Sequence, residues 1–331
     1  MLFYCSDSTD PTYNLALEEY VFRMNDTNDE VFLLWQNDNT IVVGRNQNAD
    51  AEINRDFVTK NGVAVVRRIT GGGAVYHDLG NLNYSFITDT GTGELDFSSF
   101  TKPVIDALEK LGLHARLSGR NDLTIDGRKF SGNAQAVSGG RILHHGTLLY
   151  DSNMGFIQGA LNVRKDKLEN KGVDSVKSRV VNIADCLREN GSEVPDMEGF
   201  KSLLCRSITE TDAPETLVFS SGQIEEIERL RDEKYRTREW TWGRNPGYRQ
   251  DKYRKYPFGG VQILMETKGG NISEIRNLGD FFGTCDIEEL ESRLTGLPTE
   301  EDAILDALRD FAPGRCIPGM TAEELAEQLL A

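Results

Sequence analysis

Hydrophobic and polar positions along the chain repeat with a helical period in some stretches and with a strand period in others. Asp10 and Pro11 form an N-cap followed by proline at the first helical position, and apolar residues then recur at helical spacing. This pattern predicts a helix over residues 11–24. Further helices are expected over residues 52–60 and 100–111. EVFLLWQ and TIVVG, separated by polar turn residues, predict a pair of adjacent strands.

Hairpins are predicted in the central part of the chain. Asp126-Gly127 and Gly139-Gly140 are turn signals inside the strand-like stretch LTIDGRKFSGNAQAVSGGRILHHGTLLYD. They predict an antiparallel meander of three strands. Because helices and hairpins are mixed without regular βαβ crossovers, the expected fold class is α+β, built on a mixed β-sheet.

Two domains are expected from the length of 331 residues and from a break in the pattern. Residues 243–257, GRNPGYRQDKYRKYP, are polar and basic and contain prolines, which predicts a linker or hinge. Beyond it, alternating apolar residues predict a hairpin, and a capping-box pattern at Thr321 predicts a helix. We therefore expect a first domain over residues 1–245 and a small α+β domain over residues 246–331.

Composition and charge argue against several classes of protein. Hydrophobic residues make up 38% and charged residues 27% of the chain, and its apolar runs are far shorter than the roughly 20 residues of a membrane span. The net charge of −16 argues against nucleic-acid binding, which depends on neutralising phosphates. The N-terminus has no basic segment before an apolar core, so no secretory signal is predicted. We expect a cytoplasmic protein, and a monomer.

Cysteine and histidine usage gives no sign of a metal site. The cysteines are Cys5, Cys186, Cys205, Cys285 and Cys316. They are dispersed and include no CxxC pair, which predicts reduced thiols. The adjacent His144 and His145 lie on a predicted strand, so their side chains point to opposite faces and at most one of them can line a pocket. Histidine spacing does not suggest zinc, and a histidine acting as general base stays open.

The stretch RRITGGGAVYHDLGNLNYSF, residues 67–86, joins two arginines to three consecutive glycines. Consecutive glycines cost backbone entropy and pack no side chains, so we expect another group to approach this backbone closely. Unpaired N–H groups of such a loop bind phosphate, and a neighbouring arginine adds bidentate hydrogen bonds. The stretch is neither a P-loop nor a GxGxxG turn, because no GK[ST] follows and the next element is a strand. A bulged hairpin with surface arginines is the alternative.

A second candidate is Lys129, in DGRKFSGNA, just after the predicted turn at Asp126. A lysine on a short, rigid hairpin strand can present its ammonium at a fixed point, where a compact cation can bridge two anionic groups. The small or polar residues 131–133 beside it suit a strand that approaches a ligand. A solvated surface lysine is the alternative.

Four motifs in this order closely resemble the lipoate–protein ligases: RRITGGGAVYHDLGN, GRNDLTIDGRKFSGNA, HHGTLLYD and KGVDSVKSRVVNI. The resemblance covers nearly all of residues 1–245, and the remainder is similar to that family's small accessory domain, with less motif support. It implies a catalytic domain of the biotin/lipoate ligase type. It also implies that lipoate and ATP give lipoyl-AMP and pyrophosphate, after which the lipoyl group passes to one lysine of a lipoyl-carrier domain.

The resemblance also implies roles for individual residues. Arg68 would contact the nucleotide with Arg67 as its neighbour, and Lys129 would contact both lipoate and ATP. Asp122 would lie near the incoming amine or bind Mg²⁺. His145 is a candidate for substrate binding. The loop that would enclose ATP and the adenylate comprises Gly71, Gly72, Gly73, Ala74, Val75 and Tyr76.

The implied chemistry agrees with these residue types. A carboxylate must attack the α-phosphate of a polyanion, and Lys129 between the two groups would offset their repulsion and stabilise the charge that develops toward pyrophosphate. Mg²⁺ would carry the rest of that charge. Because the adenylate is prone to hydrolysis, we expect the second domain to close around residues 243–257. An apolar slot for the lipoyl tail is expected near residues 42–44 and 76–84.

A basic run lies in this otherwise acidic chain. It comprises Arg164, Lys165, Lys167, Lys171, Lys177 and Arg179. In the resembled family the acceptors are E2 subunits of 2-oxoacid dehydrogenases and the glycine cleavage H protein, which tend to be acidic around their lysine. The run is therefore a candidate docking surface that would act mainly through the on-rate, with a solvated helical face as the alternative.

Two other functions fit parts of the sequence. An ATP-independent octanoyl or lipoyl transferase of the same fold would need a nucleophilic thiol near Lys129. No cysteine lies between Cys5 and Cys186, and the latter is predicted to be buried in a helix. A non-catalytic lipoyl-domain binder would not need a phosphate-binding loop. The sequence leaves the choice between lipoate and octanoate open.

Reversing the charges of Lys165 and Lys167 to glutamate tests the docking hypothesis. Loss of attraction to an acidic partner lowers the association rate, so transfer of the lipoyl group should slow at low salt while adenylation keeps its rate. Both half-reactions are followed over a range of salt concentrations. A transfer rate equal to that of the wild type at low salt would rule out the docking surface.

Overall fold

The structure, a computed structural model, describes residues 1–24, 30–89, 95–161, 180–243 and 250–331. Its strands are β1 (Leu2–Cys5), β2 (Val31–Trp35), β3 (Thr40–Val43), β4 (Ala64–Arg67), β5 (Val75–His77), β6 (Asn81–Asp89), β7 (Ala115–Ser118), β8 (Asp122–Ile125), β9 (Arg128–Ser138), β10 (Arg141–Leu149), β11 (Gln250–Tyr256), β12 (Gly259–Lys268) and β13 (Asn271–Gly279). Its helices are α1 (Pro11–Arg23), α2 (Ala49–Glu52), α3 (Arg55–Asn61), α4 (Phe97–Glu109), α5 (Met154–Ala160), α6 (Ile183–Glu189), α7 (Met197–Thr209), α8 (Ser221–Leu230), α9 (Arg238–Trp242), α10 (Ile287–Leu294), α11 (Glu301–Ala307) and α12 (Ala322–Leu330), with a π-helical turn at Arg231–Tyr235 and a 3₁₀ turn at Pro313–Arg315.

The strands of the described residues form three β-sheets. The largest has seven strands in the order β1-β2-β6-β10-β9-β8-β7, and the smaller ones have the orders β4-β3-β5 and β11-β12-β13. Most neighbouring strands are antiparallel, but β1 pairs with β2, and β3 with β4, in parallel. Mixed sheets combined with helices confirm the predicted α+β class.

Strands β6, β10, β9 and β8 form the centre of the large sheet. Turns with positive φ angles close the hairpins that join β8, β9 and β10, at Asp126 (51°) and Gly127 (76°) and at Gly139 (60°) and Gly140 (79°). These are the residues from which the sequence predicts a meander. Antiparallel pairing of β8 with β9 and of β9 with β10 confirms it.

Helix α1 begins where the sequence predicts. The Asp10 side chain accepts a hydrogen bond from the backbone N–H of Thr12 at 2.8 Å, and Pro11 is the first helical residue. The apolar face of α1 packs into a core shared with the large sheet and with β3 and β4. Glu18 of the same helix is also buried, so α1 carries a carboxylate into the interior.

The prediction that EVFLLWQ and TIVVG pair with each other is wrong. Strand β2 pairs with β1 and β6 in the large sheet, whereas β3 pairs with β4 and β5 in a small sheet. Asn37 in the connection is buried rather than exposed in a turn. The side-chain amide of Asn14 donates to the carbonyl of Gln36 at 2.8 Å and to the side-chain oxygen of Asn37 at 3.1 Å. These buried hydrogen bonds thus fix the connection in which the chain passes from the large sheet to the small one.

The second domain consists of the sheet β11-β12-β13 and the helices α10, α11 and α12, which share one apolar core. Its last helix has the predicted capping box between Thr321 and Glu324. The fold of this domain therefore explains the alternating apolar residues and the helix signals that follow the predicted linker.

The predicted linker over residues 243–257 is wrong for Gln250–Tyr256, which form the edge strand β11 and pair with β12. The polar composition was misleading because an exposed edge strand is itself polar and charged. Residues 244–249 lie outside the described residues. The domain boundary at residue 245 stays a prediction.

The two domains meet beside the loop that follows β3. The Arg45 guanidinium contacts both carboxylate oxygens of Asp286, at 2.8 and 2.9 Å. The backbone N–H of Gly279 donates to the carbonyl of Asn46 at 2.8 Å. A bidentate ion pair and a backbone hydrogen bond thus hold the second domain against the first. None of the helices in the described parts of the chain is long and apolar enough to pass through a bilayer.

The pairing of two cysteines differs from the prediction. Cys285 and Cys316 form a disulfide with a Cα–Cα separation of 4.8 Å, whereas Cys5, Cys186 and Cys205 are free. The prediction of reduced thiols is therefore wrong for this pair. The partners are 31 residues apart and are brought together by the fold of the second domain, so no local motif could reveal them. The burial of Cys186 on α6 is confirmed.

The disulfide is expected to stabilise the second domain. Closing a loop of 31 residues restricts the unfolded chain and contributes about 3–4 kcal/mol. Urea unfolding followed by circular dichroism should therefore give a lower midpoint with dithiothreitol than without it. The Cys285→Ser variant should show the low midpoint in both conditions, whereas Cys205→Ser should keep the difference. Equal midpoints for the wild type would contradict the pairing.

Candidate functional site

A cavity of about 120 Å³ opens between the large sheet and the loop that follows β4. Its apolar wall is formed by Leu15, Trp35, Val42, Val75 and Ala134, and its polar groups include His77, Asn83, Asn121, Asn133 and Thr147. The predicted site residues that line it are Arg68, Gly72, Gly73, Ala74, Val75, Lys129 and His145. The apolar slot predicted near residues 42–44 and 76–84 covers only part of this wall, because α1, β2, β5 and β9 contribute the rest.

Two adjacent arginines at the end of β4 have different surroundings because neighbouring side chains of a strand point to opposite faces. Arg67 is fully buried. It donates hydrogen bonds to the carbonyl oxygens of Gly44, Arg45, Gln47, Trp240 and Thr241. This side chain therefore ties the loop after β3 to α9, and it does not line the cavity.

Arg68 faces the cavity and shapes the glycine loop, residues 70–74. Its guanidinium donates to the carbonyls of Gly71 and Gly73 at 2.6 and 2.8 Å, to that of Val42 at 3.2 Å, and to the hydroxyl of Thr70 at 2.9 Å. Burial lowers the pKa of Arg68 to about 10, so the side chain is a cation at neutral pH. The loop conformation thus depends on a buried positive charge.

The glycines of this loop are required by their neighbours. Gly72 has a φ of 89°, and a Cβ there would lie 2.9 Å from the ring of Phe282 in the second domain. A Cβ on Gly71 would lie 2.2 Å from the carbonyl oxygen of Phe281, and one on Gly44 would lie 2.0 Å from the carbonyl oxygen of Gly72. The glycine loop is therefore enclosed between the end of β3 and the second domain.

Lys129 and Asp122 form an ion pair at the mouth of the cavity. Lys129 Nζ lies 2.7 Å from Asp122 Oδ1, and the side chains are 40% and 38% exposed, so both remain accessible. The register of β8 and β9 shifts between Leu123 and Thr124, which aligns the two residues across a bulge. A Cβ on Gly132 would lie 3.2 Å from the ammonium, so this glycine leaves room for it over β9. Asp122 itself does not line the cavity, but its ion-pair partner Lys129 does.

The imidazole of His145 lies between a carboxylate and a hydroxyl. Its Nδ1 is 2.9 Å from Glu18 Oε1, and its Nε2 is 2.8 Å from Thr70 Oγ1. The Ser85 hydroxyl donates to the same oxygen of Glu18 at 2.5 Å, and the indole N–H of Trp35 donates to Ser85 at 2.9 Å. Because Thr70 also accepts from the loop arginine, hydrogen bonds run unbroken along the cavity wall from that arginine to the indole.

His144 lies on the opposite face of β10. Its ring stacks on Phe100 with centroids 5.2 Å apart and also contacts Phe97 and Tyr84. Burial lowers the pKa of His144 well below its usual value, so the ring is neutral. The prediction that only one histidine of the adjacent pair lines a pocket is confirmed.

Tyr76 also points away from the cavity. Its hydroxyl donates to the side-chain oxygen of Asn39 at 3.0 Å, and its ring packs in a separate core near Phe156. Burial raises the pKa of Tyr76 to about 12. Its strand neighbours Val75 and His77 line the cavity, as the alternation of a strand requires.

The part of the chain that the structure describes contains no group of three or more His, Cys, Asp or Glu side chains arranged to hold a metal. Asp122 is paired with Lys129. Its assignment as a magnesium ligand therefore stays a prediction. The basic run over residues 164–179 lies outside the described residues, and its docking role also stays a prediction.

Two family models match the chain. The lipoyl protein ligase A/B catalytic domain matches residues 10–209, and the bacterial lipoate protein ligase C-terminus matches residues 245–329. The lipoate-protein ligase LplJ of Bacillus subtilis is 44% identical over 96% of this chain and 96% of its own length. The chain belongs to the lipoate protein ligase family. The predicted two-domain form and ligase activity are thereby confirmed.

Solved structures share the fold of this ligase. LipL1 of P. falciparum in complex with lipoate has a TM-score of 0.82 at 23% identity and covers 99% of both chains, so the common fold extends through the second domain. Lipoate-protein ligase A bound with ATP has a TM-score of 0.61 at 26% identity and covers 73% of this chain and 97% of that chain. The predicted type of catalytic domain is confirmed.

Several residues of the hydrogen-bond network beside this ligase's cavity were not predicted. Glu18 carried a signal, since it is a carboxylate at a helical position of α1 flanked one turn away on either side by the apolar Leu15 and Val21. Trp35 and Thr70 carried none, because a tryptophan in an apolar strand and a threonine in a loop are common in any protein. Only the fold places them beside His145.

Replacing Arg67 by methionine should destabilise this ligase without removing a cavity group. The change would leave several buried carbonyls without a donor, at a cost of about 3 kcal/mol or more. Denaturant unfolding should therefore give a markedly lower midpoint. Arg116→Met, at an exposed position of β7, is the matched control and should stay within about 0.5 kcal/mol of the wild type. A wild-type midpoint for Arg67→Met would contradict the assigned structural role.

Proposed function

We propose that this ligase joins lipoate and ATP around the ammonium of Lys129 and then passes the lipoyl group to a lysine of a carrier protein. One observation supports this most directly: Lys129 and the glycine loop Gly72–Gly73 line the same cavity. A compact positive charge can hold a carboxylate next to a phosphate, and a loop of backbone N–H groups can bind that phosphate.

The ion pair with Asp122 would position Lys129 before substrates bind. The ammonium has three N–H donors and lies 2.7 Å from one carboxylate oxygen, so donors remain for two anionic substrate groups. Between the lipoate carboxylate and the α-phosphate, it would reduce their repulsion and stabilise the negative charge that develops during attack. Asp122 would then be close to the acceptor amine in the second reaction.

The glycine loop would receive the nucleotide from its open side. A Cβ on Gly73 would meet no atom within 4 Å, whereas Gly71 and Gly72 are covered by the second domain. Arg68 holds the carbonyls of Gly71 and Gly73, which directs carbonyl oxygens inward and leaves the loop N–H groups for phosphate. We propose that the second domain excludes water from the adenylate at this contact.

Mg²⁺ would enter with ATP. Magnesium in phosphoryl-transfer enzymes is bound by one or two carboxylates together with substrate phosphates, so a cluster of acidic residues is not needed. Asp122 is the carboxylate next to Lys129 and would be the protein ligand in this proposal.

The acceptors would be lipoyl-carrier domains, namely E2 subunits of 2-oxoacid dehydrogenases and the glycine cleavage H protein. This assignment rests on membership of the family and on the basic run over residues 164–179. We propose that the protein works as a cytoplasmic monomer.

The ATP-independent transferase is disfavoured by the positions of the thiols. All five cysteines lie in described parts of the chain, and none of them lines the cavity. Cys186 is buried in the core behind β9, where burial raises the pKa of its thiol. A relay through a cysteine thiolate would need a lower pKa and access to Lys129.

The proposed role of Lys129 is tested by lipoate-dependent exchange of pyrophosphate into ATP without a carrier protein. Lys129→Ala should lower the exchange rate at least about a hundredfold, because charge stabilisation of this kind is worth two to three orders of magnitude. Lys102→Ala, at an exposed ion pair on α4, is the matched control and should exchange at the wild-type rate.

The assay also separates the alternatives. A transferase that uses no ATP and a non-catalytic binder would give no exchange in the wild type. Exchange by Lys129→Ala at the control rate would refute the role of this lysine while leaving the ligase activity in place. Circular dichroism of both variants confirms that they are folded.

A further inference from the structure

His77 has a buried nitrogen without a hydrogen-bond partner in a cavity that is otherwise well satisfied. The side chain lines the cavity and is 2% exposed, and its Nε2 is unpartnered. Buried polar atoms are rarely left in this state, because a missing hydrogen bond is costly. The nitrogen is therefore a polar atom at the cavity wall for which the described protein residues supply no partner.

The hydrogen bonds around His77 fix which nitrogen carries the proton. The side-chain N–H₂ of Asn14 binds the backbone carbonyls of Ser8 and Gln36, so its orientation is unambiguous, and it also donates to the side-chain oxygen of Asn37. Asn37 must therefore direct its N–H₂ at His77 Nδ1, which is 3.2 Å away. Since Nδ1 accepts, Nε2 bears the hydrogen and is a donor.

The ring of His77 is a neutral donor. Burial, and to a lesser degree the charge of Arg68, lowers its pKa to about 3. The proton on Nε2 is therefore not lost or gained near neutral pH, and the donor keeps its character throughout the working range of the enzyme.

The strand register places His77 at the end of the cavity that is remote from Lys129. The ammonium lies beside Gly132, whose N–H donates to Thr147. Thr147 pairs with Asn83 on β6, and Asn83 pairs with Trp35 on β2. Three strand spacings, about 14 Å between backbones, thus separate Gly132 from Trp35.

His77 lies near Trp35, at the β2 end of this series of neighbouring strands. Its ring meets that of Trp35 with centroids 6.2 Å apart, and its Nδ1 lies 3.5 Å from the Asn83 amide. A lipoate molecule whose carboxylate is held by Lys129 would extend across the strands and bring its dithiolane ring to this end.

The other histidine of the cavity cannot take the same role. Both nitrogens of His145 are already hydrogen-bonded, to Glu18 and to Thr70. Among the imidazoles of the described residues that line the cavity, His77 is thus the one with a nitrogen to offer a ligand.

We propose that the Nε2–H of His77 donates a hydrogen bond to a dithiolane sulfur of bound lipoate and thereby makes this pocket prefer lipoate to octanoate. The inference rests on the proposed placement of the lipoate carboxylate at Lys129. The protein offers this N–H no acceptor, so a ligand atom that reaches it can supply the missing hydrogen bond. A sulfur atom, a weak acceptor, supplies that hydrogen bond, whereas a methylene chain leaves the N–H unpaired.

Three acids separate hydrogen bonding from shape: lipoate, octanoate and 5-cyclopentylpentanoate, which keeps the ring but has no sulfur. In ATP–pyrophosphate exchange the wild type should favour lipoate over the cyclopentyl acid by about tenfold in kcat/KM, mainly through KM. His77→Phe should remove that preference by weakening lipoate and sparing the cyclopentyl acid. His144→Phe, which changes the other buried histidine with an unpartnered Nε2, should keep the wild-type ratio.

Nitrogen NMR of the wild-type enzyme tests the same inference without a variant. With histidine labelled with ¹⁵N, His77 should show the Nε2–H form, and its Hε2 signal should shift with lipoate but not with the cyclopentyl acid. The Nδ1–H form, or an unchanged lipoate-to-cyclopentyl ratio in folded His77→Phe, would overturn the proposal. Exchange with none of the three acids would instead refute the proposed function itself.

Discussion

The site depends on one buried cation, the guanidinium of Arg68. A loop of consecutive glycines has no side chains to fix it, and its carbonyls would be unpaired at the edge of a cavity. Arg68 binds the carbonyls of Gly71 and Gly73 and, through Thr70, begins the hydrogen-bond chain that orients His145. Burial of a charge is costly unless such partners surround it, so the loop and the arginine stabilise each other. The shape of the cavity follows from this mutual requirement.

At three places, strand alternation gives one residue a structural role and its neighbour a position at the cavity. Arg67 joins backbone segments while Arg68 lines the cavity. The pair His144 and His145 divides in the same way between core and cavity, and Tyr76 packs in a core while the residues on either side of it line the site. Each motif therefore combines structural and chemical positions, and a substitution one residue away has a different consequence.

The sequence was sufficient for the family, the class of fold, the meander and the position of Lys129 at a cavity, because these are encoded in local turn signals and in ordered motifs. It was insufficient where distant segments meet. The linker prediction failed at Gln250–Tyr256 because an edge strand is as polar as a linker. The network from Glu18 to Trp35, and the unpartnered nitrogen of His77, arise only when α1, β2, β5 and β10 come together. The hydrophobic periodicity of a sequence does not indicate contacts between such distant segments.

The disulfide of the second domain lies next to the contact between the domains. Cys285 adjoins Asp286, whose carboxylate receives Arg45, and the Sγ of Cys316 contacts the Asp286 carbonyl. The covalent bond thus restrains the edge of the second domain that contacts Arg45. Because this edge is restrained in advance, little conformational entropy is lost when it binds the first domain.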